Sequence, residues 1–459
     1  MKNKLSLILL KIKKNEFLMS SATLISGNIF ASAITVAAIP VLTRLYTPED
    51  FGALATFISL TLIISTAAGF RFDIAIPTAS SEKDAVNLLV ASITLSAATS
   101  IITFFILFLI NKSSNPIGGV ENITLYAALV SVGIFLASTY NAMQFWATRQ
   151  SEFRAIAKTR ASQSVIGISL QILAGATLNQ GSLGLILGQI LSASAGIVTL
   201  YKKTVTKKIR KTKIEYDKIK ETLTKFSDYP KYSTAEALFN SAATQAPIII
   251  ISTLYLGAEA GFLLLAMRLM QAPMSLIGSS IGQVYLSQAP AKNEEGKLAE
   301  FTSSVLFGLL RTGVGPIIFC GILAPSVCSF IFGDEWRRVG VLMAWMTPWL
   351  VIQFVTSPLA MSLHITKNQK TALVLQFLGL IIRPGTTLLA IFFAEDLISE
   401  VYAISGVVFY LIYFVVIVKK IRVPFSEINI QIKSASPFIL AWIVAAIIAS
   451  IAFGEVIKK

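Results

Sequence analysis

The sequence predicts an all-α polytopic membrane protein of about twelve transmembrane helices, in two six-helix bundles around a central cationic cavity, with an optional thirteenth helix. Three observations predict it. Of 459 residues, 54% are hydrophobic and 14% charged, with a mean hydropathy of +0.72; ordinary soluble domains carry about 25% charged residues. Apolar runs repeatedly reach the ~20 residues an α-helix needs to cross ~30 Å of hydrocarbon. They are long and continuous rather than short and alternating, which excludes a transmembrane β-barrel. Finally, one long basic stretch, 201–234, divides the runs six and six.

In chain order, residues 1–18 read as a basic amphipathic N-terminus, with Leu5–Ile12 lying in the interface. The apolar run that follows is too long for a signal peptide. The first bundle, 19–200, holds spans at 19–42, 52–70, 86–110, 122–144, 157–178 and 183–200. The linker 201–234 contains KKTVTKKIRKTK and reads as a solvated segment held near anionic headgroups. The second bundle, 235–418, holds spans at 235–256, 262–286, 302–332, 339–362, 370–394 and 398–418. Residues 419–459 form a basic segment followed by an apolar run at 437–453, which either crosses the membrane or lies on its surface.

Orientation follows from the basic residues. The N-terminus and every second loop hold about 30 of the 39 Lys and Arg, and the opposite loops about four: Arg44, Lys112, Arg337 and Arg338. The positive-inside rule then puts the N-terminus of this multi-pass protein in the cytoplasm. The net charge of +15 is accounted for by topology and anionic lipid, not by nucleic acid. The two halves also echo each other. TRLYTPEDFGALATF follows the first span and STLYLGAEAGFLLLA the seventh, both on the same side. The repeat is therefore parallel, an architecture in which two bundles face each other across a cavity.

Three arginines fall inside spans: Arg268, Arg311 and Arg383. A charge centred in the bilayer costs roughly 2.5–3.5 kcal/mol on insertion scales, and none of the three has an acid on its own span. Snorkelling or capping of a neighbouring helix is the bland account. The functional account is a chamber for a phosphate-bearing headgroup, because the planar guanidinium fork matches phosphate oxygens. Gln271, three residues from Arg268, shares its helical face and is the amide expected to act with it. The other span amides are Asn28, Gln144, Gln163, Gln171, Gln189, Asn240, Gln245, Gln283, Gln353 and Gln376; each is either helix glue or a sugar contact. No Asp or Glu lies at mid-depth, which argues against cationic cargo. Arg71 and Asp73 in GFRFDIAIP, with Arg44 opposite, are candidate gate residues. Cys320 and Cys328 are eight apart on one helix, ~12 Å, too far for a disulfide. With the single His364 and no Cys/His cluster, no metal, cofactor or catalytic residue is expected.

Several stretches resemble the Wzx-type O-antigen and polysaccharide flippases of the multidrug/oligosaccharidyl-lipid/polysaccharide exporter superfamily. They are SSATLISGNIF, LTRLYTPEDFGALA, GFRFDIAIP, FWATRQSEFRAIAKTR, the long PIIIISTLYLGAEAGFLLLAMRLMQAPMSLIGSSIGQVYLSQA, and IFGDEWRRVG. The resemblance implies two six-helix bundles in a V. It also implies passage of an undecaprenyl-pyrophosphate-linked oligosaccharide between leaflets, with membrane lipids and a polysaccharide polymerase as partners. Rival readings are a small-molecule antiporter of the same superfamily, which needs a mid-membrane carboxylate, and a membrane glycan-processing enzyme, which needs a sizeable loop carrying acids or a base.

Overall fold

The computed structural model describes residues 23, 26–110, 123–177, 181–205, 216–254 and 257–457. The amphipathic N-terminus expected at 1–18 and residues 206–215 of the linker lie outside them. Every regular element among the described residues is helical. We number the helices α1 (Ser26–Leu45), α2 (Pro48–Ala68), α3 (Glu82–Ile110), α4 (Ile123–Arg149), α5 (Phe153–Thr177), α6 (Ser182–Thr204), α7 (Tyr216–Lys225), α8 (Thr234–Thr253), α9 (Gly257–Glu294), α10 (Leu298–Phe332), α11 (Arg337–Leu359), α12 (Gln369–Phe393), α13 (Ile398–Ile421) and α14 (Phe425–Ile457). Ten of these are long and apolar enough to cross a membrane; α5, α8 and α9 are long but more polar, and α7 is short.

Helix packing repeats. In the first bundle α3 packs on α4, α4 on α6 and on α2, and α5 on α6. In the second, α10 packs on α11, α11 on α13 and on α9, and α12 on α13. Shifting each member of the first set by seven helices gives the second, so α2 corresponds to α9. These two equivalents also pack on each other and carry the junction between bundles, together with α8 against α2. Their first turns touch. A Cβ on Gly52 would meet the Gly257 carbonyl, and one on Gly261 the Pro48 carbonyl. Both helices thus start on the same side, opposite the lysine-rich face, as a parallel repeat requires. Helix α2 starts where it does because Thr47 and Asp50 form a reciprocal capping box and Pro48 occupies the first turn.

Two prolines reshape helices. The five residues Leu310–Val314 within α10 form a π-turn just before Pro316, and Tyr229–Ser233 form another around Pro230. Proline has no N–H and its ring crowds the carbonyl four residues back, and a widened turn relieves both.

Two segments that the sequence leaves general take a definite form. The linker carries α7, which docks on the lysine-rich end of the first bundle. There Asn87 Nδ2 donates to Thr222 Oγ1 (3.1 Å), Lys225 pairs with Asp84 (2.8 Å), and the Thr78 and Tyr229 hydroxyls meet at 3.2 Å. The apolar run at 437–453 is part of α14, a helix of 33 residues. It follows α10 from one end to the other: Gln431 meets Ser303 and Ser450 meets Ser326, while Phe453 packs on Phe330. Whatever depth α10 reaches, α14 reaches too, and its length and composition suffice to cross.

Candidate functional site

A cavity of about 550 Å³ lies between α1, α5 and α6 of the first bundle and α9 of the second, within the ~300–1,000 Å³ usual for small-molecule sites. Helix α1 contributes Asn28, Ser32 and Thr35; α5 contributes Arg160, Gln163 and Gln171; α6 contributes Gln189 and Ser192; and α9 contributes Arg268 and Gln271. No carboxylate is among its lining residues.

Small residues make this wall possible. Helices α5 and α6 approach closely at Gly167 and Gly188, where an added Cβ on Gly188 would fall 2.5 Å from Gln171 Cγ. The approach lets Gln171 Nε2 donate to the Leu185 carbonyl (3.0 Å) and Ser192 Oγ to the Gln163 carbonyl (2.9 Å), while Tyr46 of α1's end donates to the Gln171 carbonyl at 2.6 Å. Gln171 is therefore committed to holding helices together. Among the described residues, the side chains of Gln163, Gln189 and Gln271 make no hydrogen bond within the protein, leaving their donors and acceptors open to the cavity.

The two cations differ in how they are held. Arg160 Nη2 donates to Gln144 Oε1 at 2.8 Å, and its guanidinium lies 5.5 Å from the Tyr140 ring centre. Arg268 has no hydrogen-bond or ion-pair partner among the described residues. Sequence reasoning missed Arg160. It sits in the FWATRQSEFRAIAKTR stretch, where a basic residue is already explained by topology; only the neighbouring helix α6 shows that it faces inward.

The other arginines of the expected chamber are elsewhere. Arg383 is 1% exposed in the core of the second bundle. It stacks 4.5 Å from the Trp349 ring and 5.0 Å from Tyr402, and donates to the Tyr402 hydroxyl (2.7 Å) and Thr244 Oγ1 (3.3 Å). Aromatic faces and hydroxyls take the place of an acid. Arg311 lies in the π-turn of α10, exposed, with its guanidinium 4.4 Å over Phe438 of α14. Neither lines the cavity.

The expected gate residues also separate. Arg71 has a left-handed backbone (φ 57) in the turn after α2, and its Nε has no partner. Asp73 is buried beside it, and burial raises its carboxyl above the usual range, with Arg71 pulling the other way. Arg149 holds this turn from below, donating to the carbonyls of Ile76 and Ala79 (3.2 and 2.6 Å). Arg44 is exposed at the opposite end. Next to it, the Thr43 carbonyl accepts a hydrogen bond from the Trp336 indole across the bundle junction (3.2 Å). Trp336 is 1% exposed and edges onto Phe51 of α2 (5.0 Å) and Phe262 of α9 (5.8 Å). Arg338, two residues on, pairs with Glu259 (2.8 Å) and Glu400 (2.7 Å) and ties this corner to the second bundle. Leu42, one residue before Thr43, lines the cavity, so Trp336 bridges the bundles next to the cavity's end away from the lysine-rich face.

With this geometry in hand, comparisons with known proteins become informative. The model of the polysaccharide biosynthesis protein family matches residues 41–340. No curated protein matches the sequence. Among solved structures, the lipid II flippase MurJ in an inward closed conformation is similar over 98% of both chains, at 14% identity and a TM-score of 0.65. An inward-facing multidrug resistance MATE family transporter of the MOP superfamily covers 88% of this chain and 98% of its own, at 15% identity and 0.59. A MOP superfamily transporter from Pyrococcus furiosus, described as having a binding pocket of reverse polarity, covers 88% and 95% at 15% identity and 0.54. The resemblance read from the sequence holds at the level of the fold. On the match across most of its length, this chain belongs to the polysaccharide biosynthesis protein family.

Proposed function

We propose that this protein is a flippase that carries an undecaprenyl-pyrophosphate-linked oligosaccharide, an O-antigen unit or a similar repeat, from the cytoplasmic to the periplasmic leaflet of the bacterial inner membrane. One observation carries the reading: a cavity with two guanidiniums, open amides and no carboxylate. The guanidiniums suit the pyrophosphate and the amides suit sugar hydroxyls. Family membership supports polysaccharide chemistry, and similarity to a protein described as a lipid II flippase supports a lipid-linked cargo. The lysine-rich loops point to the cytoplasm under the positive-inside rule, and the bridge made by Trp336 would then close the cavity's periplasmic end. Rocking of the bundles 19–200 and 235–418 would then re-expose the headgroup to a periplasmic polymerase. A drug antiporter is disfavoured because the cavity offers a cationic substrate no carboxylate, and nothing in this reading calls for catalysis, metal or cofactor.

Complementation of surface-polysaccharide synthesis in a strain lacking its own flippase tests this. Arg268→Ala and Arg160→Ala should insert normally yet reduce surface glycan by about tenfold or more, since a charge-assisted hydrogen bond is worth ~1.5–3 kcal/mol. The Lys variants should recover part of the loss. Full complementation by both Ala variants would remove the cationic site from the mechanism.

A further inference from the structure

The wall around Arg160 holds that cation with a neutral acceptor. Buried or half-buried arginines are ordinarily paired with a carboxylate, which supplies position and cancels charge together. Here Gln144 Oε1 takes the Nη2 proton at 2.8 Å, Tyr140 offers its ring face at 5.5 Å, and the Tyr140 hydroxyl is itself fixed by Thr159 Oγ1 at 2.9 Å. The guanidinium is therefore oriented while its full charge is left for the cavity. Elsewhere the same chain uses the opposite solution: Arg338 is held by two glutamates, Glu259 and Glu400, and lies outside the cavity.

We propose that Gln144, which does not itself line the cavity, is a neutral partner that leaves Arg160 electrostatically uncompensated, and so sets the preference of the cavity for polyanionic headgroups of the pyrophosphate class. This rests on the anion-carrying reading above and adds the residue that sustains it. Hydrogen bonding alone and charge preservation make opposite predictions. A glutamate at 144 keeps the shape and strengthens the bond to Arg160, but cancels one positive charge. A methionine keeps the volume and the charge of the site but loses the acceptor.

The test is calorimetric titration of the full-length protein in nanodiscs with inorganic pyrophosphate at low salt, alongside melting temperature. Gln144→Glu should melt no lower than the wild type yet bind pyrophosphate about tenfold or more weakly, matching Arg160→Gln. Gln144→Met should melt lower and stay within about threefold of wild-type affinity; tenfold corresponds to about 1.4 kcal/mol. Equal binding by wild type and Gln144→Glu, or better binding by Glu than by Met, overturns the proposal while leaving the anion site standing. Absence of pyrophosphate binding by the wild type overturns both. If Gln144→Glu fails to fold, the Met variant decides: a loss of binding as large as that of Arg160→Gln would show Gln144 to be structural and overturn the proposal.

Discussion

Arg268 and Arg383 look alike in the sequence, each a lone cation deep in an apolar run, and the structure gives them different surroundings. Arg383 is enclosed by Trp349, Tyr402 and Thr244. Its replacement by alanine should destabilise the second bundle by about 3 kcal/mol or more, the range for truncating a large buried side chain, and lower the amount of folded protein seen in a thermal melt. Arg268→Ala should leave that melt unchanged. Position along a helix reports depth but not facing. In a soluble helix an apolar stripe marks the buried side, but here lipid and protein interior are both apolar, so the sequence carries no stripe to separate a cavity arginine from a core one. Asp73 yields a pH prediction. Its carboxyl is raised by burial, so the fold favours the protonated form; that contribution is present at low pH and is lost as pH rises through the folded-state value. Asp73→Asn should therefore raise the melting temperature relative to wild type at pH 8, and raise it less at pH 5.

At the scale of elements, the α2–α9 crossing and the corner before α11 act together. LTRLYTPEDFGALA and IFGDEWRRVG are individually weak as sequence signals, yet they meet: Trp336 of the second donates to the Thr43 carbonyl of the first and packs on its Phe51. No period or spacing in the sequence links positions so far apart, so the sequence alone offers only Arg44, Arg71 and Asp73 as gate candidates. Two substitutions should open this end. Trp336→Ala removes the plug, and Gly52→Ala drives a Cβ into the Gly257 carbonyl. In a Cys320→Ser, Cys328→Ser background, a cysteine introduced at Ser32 of the cavity wall should react with a membrane-impermeant maleimide, added from the side Trp336 closes, about tenfold faster when either substitution is present. An unchanged rate would place the seal elsewhere.

Over the whole molecule, the all-helical membrane fold and the parallel repeat were legible, because span length and the echoed Leu-Tyr turns are local properties. The docking of α7 was not, since its contacts with Asn87 and Asp84 join segments more than a hundred residues apart. Nor was the pairing of α14 with α10, which depends on a Gly315 surface flat enough to take Trp442. Because α7 is fastened to the first bundle, the π-turn Tyr229–Ser233 lies between that anchor and α8 of the second bundle. Pro230→Ala should let that turn tighten, and should reduce surface glycan in the complementation assay without lowering the melting temperature.

The cavity wall is shared unequally: α1, α5 and α6 belong to one bundle and α9 to the other. Arg160 and Arg268 therefore ride on different bodies, and any rigid movement of one bundle against the other alters the gap between the two charges. A doubly charged guest gripped by both cations is held best at one spacing. Under the proposed rocking, opening the far side would change that spacing and loosen the grip, so capture and discharge would be two phases of a single mechanical stroke, with no proton needed to quench either cation.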